Sequence, residues 1–75
     1  MISVKKLSYN EIQKTIGKNA HFISDCEFFP NFNVYCKIID INISTNREIL
    51  FTVKTKEGRK IIIGSNMKNL QLELI

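Results

Sequence analysis

The sequence predicts a mainly β fold with a short N-terminal helix, arranged as a five-stranded, strongly bent small β-barrel. Three observations support it. Within residues 48–75, two alternating apolar stretches meet at Lys56-Glu57-Gly58 and a third follows the knuckle Ser65-Asn66-Met67-Lys68-Asn69, a pattern of tight antiparallel hairpins. Within residues 34–43 the apolar positions change parity, so one strand must turn its buried side over. Finally, 75 residues supply one domain, 1–75, with one modest core.

The helical cap spans about residues 8–17. Ser8 stands as N-cap with Glu11 as its capping-box partner, Leu7 and Ile12 form a hydrophobic staple, and Gly17 supplies a left-handed stop. Tyr9, Ile12 and Ile16 fall on one face, so about two turns of helix can lie on a sheet or plug an open barrel end. Alone, such a segment is too short to be stable. Residues 19–29 then alternate, with Ala20, Phe22, Cys26 and Phe28 on one face and His21, Asp25 and Glu27 on the other, which reads as a half-buried strand. Phe29-Pro30-Asn31-Phe32-Asn33 ends it, because proline cannot donate to a ladder and asparagine suits turns.

In the next strand Val34, Cys36 and Ile38 are apolar at even positions, then Ile39, Ile41 and Ile43 at odd ones. The switch between Ile38 and Ile39 predicts a β-bulge, which lets one long strand serve both halves of a barrel. Thr45-Asn46-Arg47 turns the chain, and Ile49, Phe51 and Val53 point inward with Thr52 and Lys54 outward. Lys56-Glu57-Gly58 reads as a type I turn closed by a left-handed glycine, which sets Thr55 opposite Arg59, Val53 opposite Ile61 and Phe51 opposite Ile63. Leu70, Leu72 and Leu74 give the last strand its buried face.

Five strands, a bulge and a one-turn interruption before the final strand resemble the Src-homology-3-like and Sm-like small barrels, and the N-terminal helix favours the Sm-like arrangement. Ile62-Ile63-Gly64-Ser65-Asn66-Met67 is similar to the second Sm motif, which has an apolar residue, Arg, Gly, a small polar residue, Asn and an apolar residue. The resemblance covers the layout of residues 8–75 and six residues of motif. Ile63 takes the place of the arginine that helps hold RNA in that family, and the first motif's glycine and Asp-to-Asn signature are missing from residues 36–42. What the resemblance implies is therefore a fold, and the RNA site is not carried over with it.

No run of about 18 apolar residues predicts a membrane span, and the first four residues do not make a secretory signal. A cytoplasmic, bacterial-type protein is the expectation. Cys26, Cys36 and His21 are too few for a four-ligand zinc site. Paired carboxylates, a glycine-rich phosphate loop and a serine–histidine set are all missing, and Asp40 has only Asn42 and Thr52 as hydrogen-bonding company. The chain reads as non-catalytic, with no cofactor, no metal and no small-molecule substrate. If the turn is centred near Asn31, Cys26 and Cys36 face each other inward, either as a disulfide or, as the compartment favours, as reduced core thiols. His21 reads as a solvated surface residue.

Two candidate contact surfaces remain. Leu50 and Ile62 point outward, as does Ile23, and Phe29 and Phe32 lie in a turn where no core demands them. Together they suggest contact with a protein partner or self-association, which would also relieve marginal stability. Ile2 and Val4 are candidates to cover part of that surface. The alternative is RNA or DNA binding. Net charge is +4, with nine of the eleven basic residues lysine, and strand register places Lys37 opposite Lys54 and Lys54 opposite Lys60, with Tyr35 nearby for stacking. Like charges directly opposite disfavour pairing by up to about 1 kcal/mol, and such a row suits a phosphate backbone. The same register sets Asp25 beside Lys37 to neutralise part of it, and exposed lysines also serve solubility and edge protection.

Overall fold

The computed structural model describes residues 1–25 and 31–75. Its strands are β1 (Ile2–Ser3), β2 (Asn19–Ser24), β3 (Phe32–Ile43), β4 (Ile49–Thr55), β5 (Lys60–Gly64) and β6 (Gln71–Leu74), with a 3-10 turn at Val4–Lys6 and a helix α1 (Tyr9–Gln13). They form one antiparallel sheet in the order β1-β6-β2-β3-β4-β5. The expected five strands are thus six. The addition is β1, whose Ile2 and Ser3 pair with Leu72 and Gln71 while Val4 drops into the core and its N–H donates to the Leu70 carbonyl at 3.0 Å. The sheet is open, with β1 and β5 at its edges and no ladder joining them among the described residues.

The helix starts as its sequence dictates. Ser8 N–H donates to Glu11 Oε1 at 3.0 Å and Glu11 N–H to Ser8 Oγ at 3.2 Å, completing the capping box. The Ser8 backbone N–H, and then its hydroxyl, hold the Glu11 carboxyl below its usual range. Of the three residues expected on the buried face, only Ile12 is buried, whereas Tyr9 and Ile16 are exposed. After Gln13 the chain winds more tightly, with Thr15 N–H bonded to Ile12 O and Ile16 N–H to Gln13 O. A three-residue repeat aligns i with i+3 rather than i+4, so Thr15 takes the inner position, its hydroxyl donating to Ile12 O at 2.6 Å, and Ile16 rotates outward.

Cys36, Lys37 and Ile38 pair with Thr55, Lys54 and Val53, but Asp40 pairs with Thr52 and Ile41 with Phe51. Ile39 is the extra residue, so the bulge falls where the parity changes. Of the three isoleucines expected inward beyond it, only Ile41 is buried. Ile39 is spent on the bulge and faces out, and Ile43 lies exposed at the strand's end. Ile38 is held from the other side by the chain leaving the helix: Gly17 N–H donates to its carbonyl at 2.7 Å and its own N–H donates to Lys18 O at 2.9 Å.

The pairing of β2 with β3 differs from expectation. Ala20 stands opposite Cys36, Asn19 opposite Lys37 and Ser24 opposite Phe32. The partner of Cys36 is therefore Ala20, six residues earlier than Cys26. An even shift leaves every side chain on its expected face, so alternation alone cannot detect it. Cys26, Glu27, Phe28, Phe29 and Pro30 lie outside the described residues, and with them the proposed cysteine pair and the end of the expected strand.

The core is one face of the sheet with Ile12 and Val4 laid on it. Phe22, Ile38, Phe51, Val53 and Ile63 are fully buried, and the rings of Phe22 and Phe51 meet edge to face at 5.1 Å, a geometry favourable beyond its buried area. The β4–β5 hairpin has the expected register, with Thr55 N–H donating to Arg59 O at 2.8 Å, Gly58 at φ +83°, Val53 opposite Ile61 and Phe51 opposite Ile63. Leu70 and Leu72 are buried as expected, but Leu74, at the end of β6, is exposed.

Candidate functional site

Facing away from that core, β2 to β5 present a sheet surface built in cross-strand rows. The central row is Asn19, Lys37, Lys54 and Lys60, each directly opposite the next. All four are exposed. The carboxylate expected beside Lys37 is not there, because the register that would bring Asp25 to it is not formed. Asp25 lies past the other end of β2, accepting a hydrogen bond from Asn69 Nδ2 at 3.1 Å. An uncharged asparagine closes the row instead.

On one side runs a second row, Glu73, His21 and Tyr35. The His21 and Tyr35 rings stack with centroids 4.1 Å apart and planes 4° from parallel, and His21 Nε2 is hydrogen-bonded to Asn33 Oδ1. His21 is thus half-buried rather than freely solvated, as cross-strand aromatic neighbours stand ring against ring. From the β4 side, Lys56 brings its ammonium to 5.7 Å from the Tyr35 ring centroid, within cation–π range. Lys56 is the contact that sequence reading missed. It sits in the hairpin turn, and only the register Cys36 opposite Thr55 carries it to Tyr35. A cleft of about 500 Å³ runs here, lined in part by Asn19, Tyr35, Lys37, Lys54 and Lys56.

On the other side lies the row Asp40, Thr52 and Ile62. The Asp40 carboxylate turns back on its own strand, accepting from Ile41 N–H at 2.9 Å and Asn42 Nδ2 at 3.5 Å. Ile62 is 66 % exposed, and Leu50, one row further out, is half-buried. Phe32 is not a free contact: it opens β3 and packs against the core. Phe29 lies outside the described residues. A further apolar surface had not been expected, a groove of about 370 Å³ between α1 and the β1/β6 edge, lined by Met1, Ile2, Leu7, Leu72 and Leu74 among others.

The Gly64-Ser65-Asn66 stretch has a structural task. Glu48 reaches across from the start of β4, and its Oε2 accepts from Asn66 N–H at 3.0 Å. A Cβ on Gly64 would fall 2.3 Å from that oxygen. Ser65 N–H donates to Ile49 O at 2.8 Å and its hydroxyl accepts from Ile49 N–H at 2.9 Å, so the knuckle is tied to β4 by three bonds.

Cys36 is buried among core residues, and burial pushes its thiol up to about 11. At neutral pH it is an un-ionised packing group rather than a nucleophile. Among the described residues no group of three His, Cys, Asp or Glu side chains is placed to hold a metal ion, and no helix is long and apolar enough to cross a membrane. No family model, no curated protein and no solved structure matches the chain.

Proposed function

We propose that this chain is a non-catalytic small β module of the Src-homology-3-like or Sm-like type that works by contact, pairing through β5 with a second copy of itself. The observation that carries this is Ile62, two-thirds exposed on an edge strand. Among the described residues β5 pairs only with β4, so its other side offers free N–H and C=O groups. Edge strands are ordinarily protected by charge, proline or bulges. Within β5 there is one charge, Lys60, followed by Ile61, Ile62 and Ile63, a β-branched run well suited to adding a strand. Association would cover Ile62 and bring stability that a core this small supplies sparingly. The bulged β3, the tight β4–β5 hairpin and the one-turn knuckle before β6 support the small-barrel type.

Sedimentation across a wide concentration range tests the proposal. The expected result is a mass above the monomer that grows with concentration, and a persistently monomeric Ile62→Asp variant. A wild-type chain that stays monomeric at the highest concentration overturns it.

A further inference from the structure

We propose that the outward surface centred on Lys54 binds single-stranded nucleic acid, with Lys37, Lys54 and Lys60 on successive phosphates and a base entering beside Tyr35. The inference rests on side chains other than Ile62, with Lys60 shared as the charge at the start of β5.

Charge is the first ground. Three lysines stand directly opposite one another across three consecutive strands, an arrangement that opposes strand pairing. Among the described residues, the nearest acids on this face do not relieve it. Asp40 is engaged with Ile41 and Asn42, Glu73 is beyond His21, and Asp25 is bonded to Asn69. Glu57, next to Lys56 in the same turn, has its carboxyl held low chiefly by its own backbone N–H and the Thr55 side chain, with Arg59 and Lys56 contributing less.

Spacing is the second. Strands lie roughly 4.8 Å apart, so the row from Lys37 to Lys60 spans about 10 Å, and long flexible side chains let it follow a backbone running across the strands. The third ground is the neighbouring cleft of about 500 Å³, where Asn19, Tyr35, Lys37, Lys54 and Lys56 converge, a volume in the range of ligand sites. His21 stacks on the Tyr35 ring at 4.1 Å, whereas on the β4 side the Lys56 ammonium lies over the ring at 5.7 Å. A base stacking there would displace Lys56 onto a phosphate, so a cation–π contact is exchanged for a stack and an ion pair. A duplex has no unstacked base to offer this cleft.

Fluorescence anisotropy with a labelled oligothymidylate of about 12 nucleotides, a length within the usual single-strand site sizes, tests the proposal. Four phosphate contacts, Lys56 included, predict a log-affinity against log-salt slope of about −3. Lys54→Glu should weaken binding about tenfold or more and flatten the slope, with Lys54→Gln intermediate. Tyr35→Ala should lose several-fold and Tyr35→Phe should retain affinity, while Lys5→Glu, on the 3-10 turn, should change nothing. Circular dichroism verifies that each variant is folded, and Lys54→Gln keeps the test valid should the reversal not fold. The proposal is overturned by absence of binding in low salt, by equal losses from Lys5→Glu and Lys54→Glu, or by a polyglutamate peptide binding as tightly as the oligonucleotide.

Discussion

The two faces of strands β3, β4 and β5 are built on the same backbone and obey opposite rules. On the inner face Ile38, Val53 and Ile61 stand opposite one another, and Phe51 meets Ile63. One residue along each strand, on the outer face, the corresponding row is Lys37, Lys54 and Lys60. Inside, each cross-strand neighbour adds dispersion and removes apolar surface from water. Outside, each neighbour repels the next. Folding explains the first row, whereas any mixture of charges would solubilise the outer face without the repulsion that the second row carries. A surface feature that opposes the fold is where a binding role is to be sought, and three changes separate the two faces in order of expected effect.

The largest belongs inside. Phe51 is fully buried and stacked edge-on against Phe22, and truncating such a ring costs about 3–5 kcal/mol. A chain of this length has a total stability of roughly 4–11 kcal/mol, so Phe51→Ala should be largely unfolded or melt far below the wild type, as read by urea denaturation followed by circular dichroism. A variant that unfolds cooperatively at nearly the wild-type midpoint would show that stability does not reside on this face.

A smaller effect is also on the inner side. The Cys36 thiol is raised to about 11 by burial, against an ordinary value near 8.5 to 9 in the unfolded chain. A raised acid binds its proton more tightly in the folded state, so below pH 8 it contributes no pH dependence. Between about pH 9 and pH 11 the unfolded chain ionises first and stability falls as pH rises. Cys36→Ala should make that alkaline decline shallower by roughly 1–2 kcal/mol, whatever it costs in packing at neutral pH. An unchanged slope between wild type and variant would place the thiol in contact with water.

How much of this contrast was visible in the residues depends on the length of the connection. Thr55 and Arg59 are separated by three residues ending in a glycine at positive φ, and a loop that short permits one register. The inner pairs and the lysine row followed correctly from it. Between Ser24 and Phe32 the connection is longer, so alternation specified the face of every side chain and left even shifts undetermined. That is why Asp25 was assigned to Lys37 and Cys36 to the wrong partner, and why Phe32 was read as a turn residue when it packs on the core. The edge strand β1 was invisible for a related reason, since two residues carry no period. On the candidate surface, Lys37, Lys54, Lys60 and Tyr35 were readable, but Lys56 and the His21 stack required the β2–β3–β4 register to be known.

The smallest effect on stability, and the one that decides most about the outer face, is the reversal Lys54→Glu. In the wild type the central lysine faces a lysine on both sides, and the side chain is exposed, so each pairing is weak. Exchanging two repulsions for two attractions is worth about 0.2–1 kcal/mol in favour of the fold, or a rise of a few degrees in melting temperature for a domain this size. Salt gives the sign an independent check. Adding salt screens repulsion in the wild type and should raise its melting temperature, whereas it screens attraction in the variant and should lower it. Thermal melts of both proteins at low and high ionic strength should therefore converge. If the variant is less stable than the wild type at low salt, the lysines have splayed apart and the row is not electrostatically coupled, which removes the physical basis for treating it as a site. If it is more stable and also binds the oligonucleotide more weakly, one residue moves stability and binding in opposite directions. That divergence separates a surface held for a ligand from one that merely faces water.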